Sequence, residues 1–304
     1  MTSLVKAIRV WAEMVRFSHT VFALPFALVS TFLAGREITG RGYPYWGQLG
    51  LIVLCMVSAR SVAMTFNRII DRGIDARNPR TAARPLPAGR ISLNAAWAML
   101  ILSAITFGIG CVGFRIWYDN TLPFLLSGPV LLFLCGYSFT KRFTRWSHYY
   151  LGTAIALSPV AAWIAVHPVS LGVEALLLMI AVACWIAGFD IIYACQDIDI
   201  DRRDKLHSLP ARIGPTKALW IAGGSHGVTI LALAALGLTA DLGLLYAIGV
   251  AIAAALLIIE NALVHPGDYR RVNLAFFTVN GIVSVLLAVM AIADVLTAGP
   301  LGVG

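Results

Sequence analysis

The chain has 304 residues, 59% of them hydrophobic and 12% charged, with a mean hydropathy of +0.83 and a formal net charge of +8. A soluble domain carries roughly 25% charged residues, so the composition excludes an ordinary soluble protein and indicates a polytopic, all-α membrane protein built as one helical bundle over residues 1–304. The positive charge is expected to reflect membrane orientation, with the lipid bilayer as partner and no nucleic acid.

The opening stretch, MTSLVKAIRVWAEMVRFSHT, lacks the ordered basic tip, short apolar run and small-residue cleavage site of a signal peptide. Its first apolar segment is therefore expected to remain as a helix. Crossing the hydrocarbon core takes about 20 apolar residues. Runs of that kind predict nine spans, at 17–35, 47–69, 93–113, 122–140, 149–167, 170–192, 215–238, 242–263 and 272–296. The fifth and sixth are joined so tightly, at HPVS, that a hairpin is expected. Pro25, Pro123, Pro129 and Pro159 fall inside spans, where membrane helices tolerate them. Trp11, Trp46, Trp117, Trp146 and Trp163 read as interface anchors. The five cysteines lie in apolar stretches without a CxxC or Cys/His cluster and read as packing residues.

Sorting Lys and Arg by side fixes an expected orientation. Basic residues precede span one (Lys6, Arg9, Arg16) and follow spans two, four, six and eight. The opposite side has only Arg36, Arg41 and Arg115, while Arg60 lies within span two. The positive-inside rule then puts the N-terminus in the cytoplasm and the C-terminus outside, as in a bacterial inner membrane. The two longest cytoplasmic loops, 70–92 and 193–214, are also the most charged, which hints at a weak internal duplication.

Seven of the fifteen acids fall in two short stretches assigned to the cytoplasmic side. In NRIIDRGIDARNPRTAARPLPAG, Asn67, Asp71 and Asp75 are four apart and share one helical face. In FDIIYACQDIDIDRRDKLHSLPARIG, the spacing of Asp190, Asp197, Asp201 and Asp204 predicts a second helical stripe, flanked by Tyr193 and Gln196. Like charges four apart are destabilising unless a positive charge intervenes. Oxygen-only ligands select a hard cation, and Mg²⁺ commonly takes one or two carboxylates plus substrate phosphates. The adjacent basic residues make sense if the ligand brings negative charge: a diphosphate bridged by Mg²⁺ and clamped by Arg84, Lys141 and Arg142 satisfies both signs. Mn²⁺ would satisfy the same donors. Ionisable residues at membrane depth are functional candidates by default.

These stretches resemble the signatures of the UbiA superfamily of intramembrane aromatic prenyltransferases. The first matches the pattern NDxxDxxxDxxxxRTxxRPLxxG, DIIYACQDIDID matches DxxYxxxDxxxD, and GYSFTKRFT resembles the short basic motif between them. The resemblance implies a nine-helix bundle with a central cavity under cytoplasmic cap loops, and an active site facing the cytoplasm. By position, Asn67, Asp71 and Asp75 would form one Mg²⁺/diphosphate group and Asp190, Asp197 and Asp201 the other. Arg84, Lys141 and Arg142 would bind diphosphate, and Tyr137 and Tyr193 would sit near the prenyl C1 or the acceptor. Arg68 departs from the pattern, standing where the common form has Asp. Arg16 matches the family arginine, and His19 replaces a lysine.

The wording FSHTVFALPFA and LHSLPARIG resembles the 4-hydroxybenzoate polyprenyltransferase branch, some of whose members belong to the futalosine route to menaquinone. The implied reaction moves a polyprenyl group from polyprenyl diphosphate to a ring carbon of an aromatic acid. 4-Hydroxybenzoate is the first acceptor and 1,4-dihydroxy-6-naphthoate the alternative. Arg16, Arg60 and His19 are then candidates for the acceptor carboxylate. His148, His167, His226 and His265 read as structural, and His207 could line the cap. A transporter is the main rival, because acids in broken helices can bind ions. A CDP-alcohol phosphotransferase is disfavoured because its continuous acidic motif is missing. Other superfamily acceptors differ only in pocket residues that spacing does not reveal.

Overall fold

The computed structural model describes residues 10–15, 22–38 and 43–298. Arg16 and His19 lie outside the described residues, as do Lys6, Arg9 and Arg41. Regular structure among the described residues is helical, apart from one isolated bridge between His265 and Asp268. Eight helical segments are long and apolar enough to cross a membrane, and α1 (Leu24–Arg36) is a shorter apolar helix in the place of the first expected span. The others in chain order are α2 (Trp46–Arg77), α3 (Leu93–Tyr118), α4 (Leu122–Thr140), α5 (Ser147–Val166) and α6 (Val173–Ala194). After them come the short α7 (Ile198–Arg203) and α8 (Leu209–Ile213), then α9 (Pro215–Thr239), α10 (Leu244–Leu263) and α11 (Asn280–Ala298). The expected hairpin is present, with a three-residue 3₁₀ turn at Pro168–Ser170 between α5 and α6.

The chain divides into two compact units, one of residues 1–20 and 51–139, the other of 21–50 and 140–304. In the first, small residues let helices approach closely, as membrane packing favours. A Cβ on Gly110 would meet Cys55 Sγ at 2.7 Å, and one on Gly113 would meet Leu51 at 3.0 Å. Ala59, Phe107 and Cys111 form a buried cluster with Val130, Leu131 and Leu134. A second cluster of Met14, Ile69 and Ala96 takes in Leu86, Ile91 and Leu93, and so fastens the loop after α2.

In the second unit α6 is the central helix, packed against α5 and α9, while α1 lies on α5 and α11, and α10 on α11. Gly152 permits the α5–α6 contact: a Cβ there would collide with the Ala183 carbonyl. A buried polar chain fastens α6, α10 and α11. Trp185 Nε1 donates to Asn280 Oδ1 at 2.6 Å, and Asn280 Nδ2 donates to Glu260 Oε1 at 2.6 Å and to the Ala275 carbonyl at 3.1 Å. The last of these bonds serves a carbonyl of the π turn Leu274–Val279, whose wider winding disrupts the usual backbone ladder.

Three expectations need correction. The predicted loop 70–92 begins as helix, because α2 continues to Arg77. Its apolar run ends, but amphipathic periodicity does not: Asp71, Asp75 and Asn78 are buried, while Arg72, Gly73, Ala76 and Arg77 are exposed. The second aspartate stretch is not one stripe. α6 stops at Ala194, a 3₁₀ turn covers Cys195–Asp197, and Asp204 lies past the end of α7, before Lys205 at φ 56°. Closely spaced aspartates compete for backbone hydrogen bonds and are poor helix-interior residues. Trp163 is not an interface anchor, for it is 3% exposed and its Nε1 donates to Ser170 Oγ at 3.1 Å. Trp46, Trp117 and Trp146 are exposed as expected.

Candidate active site

The first aspartate group stands at the C-terminal end of α2. Asn67 Nδ2 donates to Asp71 Oδ2 at 3.0 Å and to Ser138 Oγ at 3.4 Å. Asp71 and Asp75 are 2% and 4% exposed. Two buried carboxylates one turn apart repel, and two guanidiniums meet that charge. Arg84 Nη1 donates to Asp75 Oδ1 at 2.7 Å, and Arg68 Nη1 lies 3.9 Å from Asp75 Oδ2. Arg68, the departure from the family pattern, thus places a buried base beside the acids. Arg60 lies within electrostatic reach of Tyr137 in the same unit.

The loop after α2 is shaped to return Arg84 to Asp75. Asn78 Oδ1 accepts from the Arg80 amide at 2.9 Å, an Asx turn. Thr81 Oγ1 donates at 2.9 Å to the Asp75 carbonyl, one of those a helix end leaves open. Turns follow at Thr81–Arg84 and Leu86–Gly89, where Gly89 adopts φ 68°. Arg90 then bonds Glu13 through both terminal nitrogens. The threonine, arginine and glycine of RTAARPLPAG therefore serve backbone geometry as well as charge.

The second group is built differently. Asp190, on α6, accepts from His148 Nδ1 at 2.7 Å. Asp197 ends the 3₁₀ turn, and Asp201 on α7 lies within electrostatic reach of Asp197, Lys141 and His148. Lys141 is tied to this region through its backbone: its carbonyl accepts from the His207 amide at 2.7 Å. Arg142, the next residue, is exposed. Tyr193 packs on Phe276 with ring centroids 4.3 Å apart, and Phe276 contacts Phe22 and Phe189 to form an aromatic wall.

Within the first unit the structure brings together Asn67, Asp71, Asp75 and Arg84, and within the second Asp190, Asp197, Asp201 and Lys141. His207 faces Arg212, whose Nη2 is 2.7 Å from its ring nitrogen. His148, which the sequence indicated as structural, contacts Asp190 Oδ2 through Nδ1 and accepts from the Leu209 amide at Nε2. A signal for it exists in the hairpin: His148 and Asp190 are equally far along the chain from the Pro168–Ser170 turn, so antiparallel pairing brings them level.

Among the described residues no group of three or more His, Cys, Asp or Glu forms a metal cage. The donors are carboxylate and amide oxygens, and Asp75 Oδ2 is buried and accepts no hydrogen bond. That set fits a hard divalent cation that draws its remaining ligands from substrate oxygens.

The family model for the UbiA prenyltransferase family matches residues 24–298. The chain belongs to the UbiA prenyltransferase family. It is thus an integral membrane prenyltransferase. It is 31% identical over 224 residues to the 4-hydroxybenzoate octaprenyltransferase of Pseudomonas aeruginosa, covering 73% of each chain. It is 32% identical over 256 residues to the enzyme of that name from Aliivibrio salmonicida, covering 84% of this chain and 87% of the relative. The apo structure of a UbiA homolog from Aeropyrum pernix K1 superposes with a TM-score of 0.76 at 30% identity, over 92% of this chain and 98% of that one. A UbiA homolog from Archaeoglobus fulgidus bound to GPP and Mg²⁺ shares the UbiA fold, with a TM-score of 0.69 at 18% identity over 94% and 99%.

Proposed function

We propose that this UbiA-family protein transfers a polyprenyl group from polyprenyl diphosphate to a ring carbon of an aromatic acid of the 4-hydroxybenzoate type, in quinone biosynthesis. The observation that carries the reading is the pairing of opposite charges around Asp75, buried at the end of an apolar helix with Oδ2 facing Arg68 but accepting no hydrogen bond. A group with both signs suits a ligand that is itself a metal–anion pair. The names of the relatives support the acceptor class.

Asn67, Asp71 and Asp75 in one group and Asp190, Asp197 and Asp201 in the other would hold Mg²⁺. When bound, Mg²⁺ lowers the energy of the charge that builds on the departing diphosphate. Arg84, Lys141 and Arg142 bind diphosphate oxygens by charge-assisted hydrogen bonds, with Asp75 keeping the Arg84 fork aimed. The C1–O bond breaks and its electron pair leaves with diphosphate. A π pair of the phenol ring then forms the new bond to C1, and the displaced ring proton is lost. Tyr137, Tyr193 and neighbouring aromatic faces favour the allylic cation by about 0.5–2 kcal/mol each. The apolar helices keep water from that cation. Arg16, Arg60 and His19 are assigned to the acceptor carboxylate. The Lys and Arg distribution supports a cytoplasmic N-terminus, an outside C-terminus and a cytoplasmic active site in a bacterial inner membrane.

A second reading keeps the chemistry and changes the acceptor to 1,4-dihydroxy-6-naphthoate, because the branch that the wording FSHTVFALPFA and LHSLPARIG resembles includes members of the futalosine route. Purified protein incubated with Mg²⁺, labelled prenyl diphosphate and either acceptor separates the two. Product from 4-hydroxybenzoate alone is expected. Product from the naphthoate alone moves the enzyme to menaquinone synthesis. Uptake of substrate into vesicles without chemical change would overturn both readings in favour of a transporter.

A further inference from the structure

The ring of His148 is 4% exposed, and both of its nitrogens are engaged. Nε2 stands 3.2 Å from the backbone N–H of Leu209, which can only donate. Nε2 is therefore the acceptor, and the ring proton sits on Nδ1, directed at Asp190 Oδ2 at 2.7 Å. The tautomer follows from the partner rather than from an assignment of hydrogens. Leu209 opens α8, a helix whose preceding Ser208 makes no side-chain cap. His148 takes over that task from another helix, serving an amide that would otherwise be buried and unpaired. It is also within electrostatic reach of Asp201. One ring thus joins the first residue of α8 to an aspartate of the second group.

We propose that His148 is a positioning residue for the second aspartate group: it holds Asp190 Oδ2 so that the other carboxylate oxygen is presented to the metal–diphosphate ligand. This rests on the function proposed above. The Asp190 side chain is 25% exposed although the histidine beside it is buried, so one edge of the carboxylate is fixed and the other is accessible. Hydrogen bonds that orient metal-binding side chains characteristically change metal affinity by roughly 10–100-fold when removed.

The test uses the full-length protein in detergent and Mn²⁺ as probe, followed by electron paramagnetic resonance with a non-hydrolysable geranyl diphosphate analogue present. KM values for prenyl diphosphate and acceptor are measured alongside. His148→Asn retains a donor at the Nδ1 position and gives up the contact with Leu209. His148→Gln retains an acceptor at the Nε2 position and gives up the donor to Asp190. Weaker Mn²⁺ binding by roughly 10–100-fold is expected in His148→Ala and His148→Gln, with substantial recovery in His148→Asn. The prenyl diphosphate KM should rise with it and the acceptor KM stay unchanged. If His148→Ala does not fold, the Asn and Gln pair still decides. Equal Mn²⁺ affinity in all variants, or equal loss in Asn and Gln, overturns the proposal. Wild-type protein is titrated first: if it binds no Mn²⁺ with the analogue, the proposed function fails, and that result is distinct from a failure confined to His148.

Discussion

Asp75 is the residue on which most of the first group converges. Its Oδ1 holds Arg84 at 2.7 Å, its Oδ2 faces Arg68 at 3.9 Å, and its carbonyl accepts from Thr81. Removing one partner of a buried ion pair leaves a charge with neither water nor counter-ion, typically a loss of about 3–5 kcal/mol. Arg84 keeps 18% of its side chain exposed, so water can replace part of it, and Arg68 remains beside Asp75 as a counter-ion. Arg84→Ala should therefore lower unfolding free energy in detergent by about 2–3 kcal/mol, below that range. Arg84→Lys should recover the charge but not the fork, and so only part of the stability. Unfolding measured for the three proteins checks the order wild type, Lys, Ala. Gly89 has a backbone requirement of its own: at φ 68°, Gly89→Ala should lower stability by about 1 kcal/mol without altering any charged contact.

Among the elements, the α5–α6 hairpin positions Asp190 of the second aspartate group. Gly152 is one turn from His148 and lies against the Ala183 backbone. Gly152→Val should wedge the two helices apart, lengthen the His148–Asp190 contact and weaken Mn²⁺ binding. Gly224→Ala, at a glycine with open space beside it, should leave binding unchanged. A titration of both variants checks this. The same elements explain what the sequence could reveal. Asn67, Asp71 and Asp75 were legible because one continuous helix carries them, and a period of 3.6 turns spacing directly into a shared face. Asp190, Asp197 and Asp201 were legible as residues but not as a stripe, since the 3₁₀ turn at Cys195–Asp197 resets the angle. His148 was hidden because its partners are 42 and 61 residues away and depend on hairpin register. Arg84 could be recognised as a base near the site. That it binds Asp75 depends on a loop of successive turns, which periodicity does not describe.

For the whole molecule, the same composition that excluded a soluble fold leaves large apolar side chains outward, among them Leu132, Leu238, Leu244 and Ile258, each at least 70% exposed. Lipid is the solvent that makes such a surface favourable. Arg72 follows Asp71 in the first unit, Arg202 and Lys205 follow Asp201 in the second, and the topology proposed above would put both segments in the cytoplasm. A Lys205→Cys variant in a cysteine-free background should react with a membrane-impermeant thiol reagent in inverted vesicles and be protected in intact cells. The opposite pattern would invert the proposed topology. Equilibrium binding of labelled geranyl diphosphate to the purified protein asks whether the aspartates of the two groups bind a metal-bridged prenyl diphosphate. Binding should require Mg²⁺, disappear with EDTA, and be lost in both Asp71→Ala and Asp197→Ala when each is shown to be folded. Binding that persists undiminished with EDTA, or in both folded variants, would rule out a metal-bridged diphosphate at these aspartates.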